Sequence, residues 1–470
     1  MESKIFAGES NTAGTESKKW EEALNQAIPA IVVIRVCSVR AFDGEGSGFS
    51  TATGFIVDKE KGIVLTNRHV VTPGPVRADA IFLNKEEVDL VPIYRDPVHD
   101  FGFYRFDPAK VKFQTLREIP LDPDGAWVGR EIRVVGNDAG EKLSILPGVL
   151  ARLDREAPHY GPNDYNDFNT FYYCAASSTS GGSSGSPVLT LGGRAVALNC
   201  GGAKQAASSF YLPVHRIQRA LELVQATPVG AAPAVPRGTL QTIFKHTAFD
   251  EVKRLGLQEG TEAEVRGARP EETGMLVVDQ VVPGGPAAGQ LEPGDVLVSL
   301  DGQLVTQFRP YEEIVDGAVG RELALRVQRG GQEREVRLTV QDLHAITPAE
   351  LLEVSGGVVH ALSYQQARNY NLPCGGVYMA QSGYMFGRAG ITCHCIFVAI
   401  GPHPTPDLGA FEEALAQFQD GDRTTVRYFG LRDRHRTRTA LVTVDRSWFP
   451  AARSVRDDAT GLWRVRPCRP

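Results

Sequence analysis

At 470 residues the chain has room for roughly three domains of ordinary size, so one compact domain is excluded. Its 56 Asp and Glu outnumber its 50 Lys and Arg, and a net charge of −6 argues against a nucleic-acid binder held by phosphate contacts. With 42% apolar residues, 49 Gly and 29 Pro, the composition is that of a packed, turn-rich protein rather than a disordered or collagen-like one.

Residues 1–19 are polar and carry no apolar period, which predicts a flexible tail. Glu2, Glu9, Glu16, Glu21 and Glu22 count against a transit peptide. The first apolar run, Ala30 to Ile34, stops at Arg35 and is too short for a signal segment or a membrane span. The expectation is therefore a soluble, intracellular chain with no membrane partner. Seven cysteines, an odd and scattered set, read as free thiols rather than a disulfide framework. The folded part starts near Trp20, and from Ile28 to about Val214 short β-branched runs alternate with Gly, Asp and Pro turns, the spacing of an all-β barrel or sandwich. Ile217, Leu221 and Val224 then fall at helical spacing and close this domain with an amphipathic helix. Residues 227–236, rich in Pro, Ala and Gly, read as a semi-rigid linker.

Beyond it the chain repeats. Gly274–Val278 recurs as Gly376–Ala380, and Glu322–Val340 as Arg423–Val444, which predicts two copies of a small α+β module over 237–345 and 346–446. Residues 447–470 show no further core pattern and read as a loose tail.

The segment with the most specific chemistry is Ser180–Pro187 (SGGSSGSP). Its small residues let the backbone turn sharply, so N–H groups can converge beside an exposed serine hydroxyl. Upstream, Leu65–Val71 (LTNRHVV) carries His69 just after a strand, and Asp96–Phe103 (DPVHDFGF) carries Asp100 just before one. A serine hydroxyl is a poor nucleophile at neutral pH. It needs an imidazole to take its proton and a buried carboxylate to hold that imidazole in the right tautomer, and the order here is His, Asp, Ser.

With TGFIVD, LTNRHVV, HDFGF and GGSSGSPV in place, residues 25–450 resemble the HtrA (Deg) family of serine proteases, most of all its tandem Nma111/Deg7 branch. The resemblance implies a mainly β fold: a chymotrypsin-like double β-barrel protease domain over 20–226, followed by two PDZ-like α+β domains. It implies Ser184 as nucleophile, His69 as general base and Asp100 as orienting acid, with the backbone N–H groups of Gly182 and Ser184 as the oxyanion hole. Ser186 stands where the family's motif has Gly, so Ser183, Ser184 and Ser186 compete, and register favours Ser184. Ser178, six residues before the nucleophile, would lie at the base of the specificity pocket and Leu198 on its wall, which implies cleavage after small or medium aliphatic residues. In the first PDZ-like domain, the strand Thr239 to Phe244, opening with Thr239 and Leu240 and entered through Arg237 and Gly238, would pair with C-terminal peptides, and Tyr311, Ile314 and Val315 would form the apolar pocket. In the second, Cys393–Gly401 replaces the Gly-Asp turn, so peptide binding and a purely structural role stay open. The tandem branch continues into a second, degenerate protease half, and Gly461–Trp463 (GLW) resembles its connector. The expectation is thus of a truncated or short form.

The implied activity is ATP-independent endoproteolysis of unfolded or regulatory proteins, with neither metal nor organic cofactor. The family includes many trimers, although no residue pattern here marks a trimer interface. The nucleus is favoured over the cytosol or an organelle by the tandem resemblance alone. A reading from another class stays open, a non-catalytic PDZ scaffold or holdase whose triad never assembles. Three remaining features have plain readings. His99 reads as a solvated loop histidine, Cys393 and Cys395 as buried strand thiols, and the basic run Arg432–Arg438 as a solvated hairpin tip.

Overall fold

In a computed structural model describing residues 13–137, 143–161, 166–175, 182–203 and 208–468, the chain opens with helix α1 (Ala13–Ala27). Trp20, Ala23, Leu24 and Ala27 recur at helical spacing and are all buried, which docks α1 on the strands that follow. Helix therefore reaches into what the polar composition marks as tail. The reason is tertiary: one apolar stripe with a barrel to cover outweighs the polar residues on the other face.

The first barrel is closed in the order β1-β2-β3-β6-β5-β4. Its strands are β1 (Ile31–Ser38), β2 (Gly48–Asp58), β3 (Ile63–Thr66), β4 (Val76–Ile81), β5 (Glu87–Arg95) and β6 (Gly102–Arg105). A single helical turn, α2 (Arg68–Val71), stands between β3 and β4. The second barrel closes as β10-β11-β12-β9-β8-β7, from β7 (Glu131–Gly136), β8 (Ser144–Glu156), β9 (Phe171–Ala175), β10 (Pro187–Leu189), β11 (Ala195–Ala203) and β12 (Ser208–Pro213). Closure leaves no unpaired sheet edge, and the interiors are filled by side chains such as Ile34, Phe55, Leu65 and Phe103 in the first and Ile132, Val188, Val196 and Tyr211 in the second. Helix α3 (His215–Ala226) lays Ile217, Leu221 and Val224 on the first barrel's core.

Next comes an α+β module. β13 (Gly238–Thr239) pairs with β20 (Gln341–Asp342). The main sheet runs β14 (Thr242–Ala248), β15 (Gly274–Val281), β16 (Val296–Leu300), β18 (Glu322–Arg329) and β19 (Gln332–Thr339), with β17 (Gln303–Leu304) beside β16. α4 (Phe249–Arg254) and α5 (Glu259–Ala268) follow β14, and α6 (Phe308–Asp316) presses Phe308, Tyr311 and Val315 onto the core. The second module repeats the plan with β21 (Glu350–Val354), β22 (Gly357–Leu362), α7 (Tyr364–Tyr370), β23 (Gly375–Ser382), α8 (Gly383–Arg388), β24 (Cys395–Ile400), β25 (His403–Pro404), α9 (Leu408–Leu415), β26 (Arg423–Gly430) and β27 (Arg438–Thr443).

The segment read as a loose tail is a hairpin instead, β28 (Ala452–Asp457) and β29 (Leu462–Pro467), and β28 pairs antiparallel with β21. It satisfies a sheet edge that would otherwise be open. No apolar alternation betrays it because the strand is held by backbone pairing and by Arg453, which bridges Glu350 and Glu412. Where the three domains meet, Val98 and Phe168 from the barrel loops pack with Ile243, Val282 and Leu343 of the first module and with Leu362, Tyr364 and Tyr378 of the second.

Candidate active site

His69 sits on α2, whose first turn is anchored by the Asn67 carbonyl accepting the N–H groups of Val70 and Val71. The turn carrying Asp100 is built by Asp96: its Oδ1 accepts the N–H groups of Val98 at 2.9 Å and His99 at 2.7 Å. Asn67 ties the two segments together by donating to the Asp100 carbonyl at 3.0 Å. As a result Asp100, 1% exposed, places Oδ2 2.9 Å from His69 Nδ1 and accepts the His69 backbone N–H at 3.2 Å. A buried carboxylate facing Nδ1 keeps the proton there and leaves the Nε2 lone pair for an incoming proton. Burial alone would lower the His69 pKa, but the Asp100 carboxylate beside it more than compensates and holds it above the ordinary imidazole value. The imidazole keeps 32% of its side-chain surface exposed. Nearby, burial raises Glu45 to about 7, against the pull of Arg68 and His69.

The serine side is a turn of small residues lodged against the first barrel. Gly182 and Gly185 take positive φ values of 96° and 85°, where a side chain would be strained. A Cβ on Gly185 would also lie 2.0 Å from the Thr53 carbonyl oxygen, so only glycine lets the turn come this close. Thr53 N–H donates to Ser184 O at 2.9 Å, and Thr53 Oγ1 donates to Gly182 O at the same distance. Thr53 O in turn accepts from Thr66, three residues before His69, so the turn and the imidazole segment share one support. The three competing serines differ in environment. Ser186 is fully buried and donates to Ser183 O at 2.6 Å; Ser183 is buried with its Oγ accepting from Asn199; Ser184 is half-exposed. The N–H groups of Gly185 and Ser186 are taken by Asn199 O and Ser183 O, whereas among the described residues neither Gly182 N–H nor Ser184 N–H has a backbone acceptor. Ser178 lies outside the described residues, and Leu198 on β11 is fully buried in the barrel core.

The residues assigned to a peptide groove face inward. Arg237 is 3% exposed and ion-paired to Asp96, Glu312 and Asp316, at 3.0, 3.2 and 2.8 Å. Gly238 donates its N–H to Asp316 Oδ1 at 2.9 Å, so a carboxylate of the chain itself occupies that donor. Thr239 pairs within β13, and Leu240, Tyr311 and Val315 are buried in the module's core with Ile314 packed against it. The start of edge strand β14 is covered by Asn169, which donates to Thr242 O at 3.0 Å and accepts Phe244 N–H at 2.7 Å. An open groove was expected because sequence cannot show a neighbouring domain filling it.

His99 is not a solvated loop residue. It is fully buried, with Nδ1 2.8 Å from Asp167 and Nε2 3.0 Å from Glu312. Asp167 was missed altogether, and its only sequence signal is a lone acid in a stretch rich in aromatic residues, NDFNTFYY. Arg68 was missed as well; it is buried beside His69 and paired with Asp43 at 3.3 Å. Cys393 is exposed rather than buried, while Cys395 on β24 is buried. Among the described residues no group of three or more His, Cys, Asp or Glu is arranged to hold a metal ion, and no helix is long and apolar enough to cross a membrane.

A model of the trypsin-like peptidase domain matches residues 52–198, one of the PDZ domain residues 277–329 and one of the PDZ-like domain residues 345–421. Protease Do-like 7 of Arabidopsis thaliana is 54% identical over 459 residues. This chain is HtrA-like. Pro-apoptotic serine protease NMA111 of Ajellomyces capsulatus is 48% identical over 453 residues. Each alignment takes in 96% of the HtrA-like chain but 42% and 44% of those relatives, so the chain spans less than half their length. Among solved structures, the HtrA-type protease AlgW with tripeptide superposes with a TM-score of 0.51 over 69% of this chain and 97% of that one; at 22% identity it speaks for the fold alone. The two α+β modules of the HtrA-like chain are PDZ domains.

Proposed function

We propose that the chain is a serine endopeptidase in which Ser184 attacks a peptide carbonyl, His69 takes its proton and Asp100 orients the imidazole. The observation that carries this reading is the buried Asp100 carboxylate 2.9 Å from His69 Nδ1, on a barrel that shares Thr53 with the Ser184 turn. The oxyanion would be met by the N–H groups of Gly182 and Ser184, while those of Gly185 and Ser186 are already engaged. The accessibility of Ser184 relative to Ser183 and Ser186 supports the same register.

The test is an activity-based fluorophosphonate, which modifies a serine only when its base has activated it, together with hydrolysis of a denatured protein. The wild-type chain should label and hydrolyse, and Ser184→Ala should lose both, hydrolysis by about 10⁴-fold or more, with its melting curve intact. Labelling that survives in Ser184→Ala but disappears in Ser186→Ala would move the nucleophile.

The substrates proposed are exposed segments of unfolded or regulatory proteins, cut after small or medium aliphatic residues. C-terminal peptides are proposed for the first PDZ domain, where entry must displace Asp316 from Gly238 and Asn169 from β14. Titrating the full chain with free-carboxylate and amidated forms of one apolar-ended peptide tests this, and equal affinity refutes it. A nuclear role in protein quality control is proposed from the family resemblance alone, and imaging of a tagged chain checks the compartment. Trimeric assembly has the same basis and is checked by light scattering.

A further inference from the structure

The turn that carries Asp100 also carries His99, and the two neighbours face opposite ways. Asp100 points to His69, whereas His99 lies between two carboxylates from different domains: Asp167, from the loop before β9, and Glu312, on α6 of the first PDZ domain. Asp167 uses its other oxygen to accept the Asp100 backbone N–H at 3.2 Å and the Tyr172 hydroxyl at 2.9 Å. A continuous path thus runs from Glu312 through His99 and Asp167 to the main chain of Asp100 and on to His69. Every member behind Asp100 is buried, so water cannot replace a lost partner. The charged groups around His99 are Asp96 on its own turn, Asp167, Glu312, and the guanidiniums of Arg216 and Arg237, both of which also meet Glu312.

We propose that His99 is a positioning residue for Asp100, acting through Asp167, and that its hold on Asp100 depends on the first PDZ domain presenting Glu312. This rests on the triad reading above. The physical reason is that a carboxylate orients an imidazole only if its own main chain is fixed, and a displacement of about 1 Å at a catalytic group can cost a hundredfold in rate. Without His99, Oδ1 of Asp167 keeps only the Phe168 N–H at 2.7 Å, and Asp167 loses the side chain that helps aim its other oxygen at the Asp100 N–H.

The experiment measures the rate of fluorophosphonate labelling, and kcat and KM on a fluorogenic peptide, across the pH range where imidazole titrates, on the full chain and four variants. His99→Ala removes both contacts. The amide nitrogen of His99→Asn reaches the place of Nδ1 and keeps the donor to Asp167, while that of His99→Gln reaches the place of Nε2 and keeps only the contact with Glu312. Glu312→Gln keeps an acceptor without the charge. His99→Ala should lower labelling and kcat on the order of tenfold to a hundredfold with KM nearly unchanged, and should move the acid limb of the pH profile to lower pH as His69 loses part of the Asp100 field. His99→Asn should restore most of the rate and His99→Gln little of it; Glu312→Gln should cost severalfold. Wild-type rates and profile in His99→Ala, or equal rates in the Asn and Gln variants, would overturn the proposal, and an unchanged Glu312→Gln would overturn its PDZ arm. Should His99→Ala fail to fold, the Asn and Gln pair decides by itself. Absence of Ser184-dependent labelling in the wild-type chain would strike the triad reading instead.

Discussion

The two sides of the candidate cleft are held by different physics. The His-Asp side is braced from behind by both PDZ domains through buried polar and charged groups. Behind Asp100 stand His99, Asp167 and Glu312. Behind His69 stands Arg68, paired to Asp43, whose N–H donates to His360 of the second PDZ domain at 2.9 Å and whose carboxylate accepts from Ser363. Phe42 stacks on the His360 ring with centroids 4.2 Å apart. The serine side has no such bracing among the described residues. Gly182–Pro187 is pinned by neutral bonds to Thr53 and Asn199 and by a fit too close for a side chain at Gly185. One side should therefore respond to charge and pH, the other to volume.

The largest effect that would sharpen this contrast is Asp100→Asn. The amide can hold His69 but presents the wrong tautomer, so turnover should fall by about 10⁴-fold near neutral pH with the melting curve little changed. The acid limb of what activity remains should move down, because Asp100 is what raises His69 above its ordinary value. A loss of only a few fold would mean that Asp100 is not the orienting acid.

Next in size is Arg237→Ala. Burial opposes the charged form of Asp96, and Arg237, with His99 and two backbone N–H groups, more than reverses this, leaving Asp96 well below the usual carboxylate range. Removing the guanidinium leaves buried Asp96 without its cation and takes one of two arginines from each of Asp316 and Glu312, at a cost of about 3–5 kcal/mol in denaturant unfolding. A change within error would break the claim that charge braces this side.

Gly185→Ala probes the other side. The expected cost is about 1–3 kcal/mol of strain from the positive φ and the close Thr53 carbonyl, together with loss of labelling as the turn is displaced from Thr53. A fully labelled, fully stable alanine variant would show that the turn is not held by close fit.

The smallest effect concerns pH. His360 is neutral by its contacts, Nδ1 donating to the Ala361 carbonyl at 2.7 Å and Nε2 accepting from Asp43. Burial lowers its pKa from the ordinary 6.5. Below about 6.5 the unfolded chain then binds protons that the folded chain refuses, so stability falls with pH. His69 works the other way: its raised pKa contributes stability that is complete below 6.5 and fades as pH climbs through the folded value. Melting temperatures should thus decline on acidification below neutrality, and less steeply in His360→Gln. Parallel curves for the two proteins would contradict the assignment.

Much of this protein could be read from residue order alone. Alternating β-branched runs and turn residues announced a barrel or sandwich, the hundred-residue echo of GMLVV in GVYMA announced paired modules, and His69, Asp100 and Ser184 stood out because each lies at a strand end or in a small-residue turn. Those signals are local, since strand period and turn chemistry act over a few residues. What the tertiary structure decided lies between domains. His99 became a buried bridge, Arg237 a buried ion pair with Asp96 141 positions away, and the groove residues of the first PDZ domain a closed core, while the final hairpin joined a sheet it has no apolar pattern to advertise. A charge reads as solvated until its partner arrives from another domain, and no periodicity within either segment records that meeting.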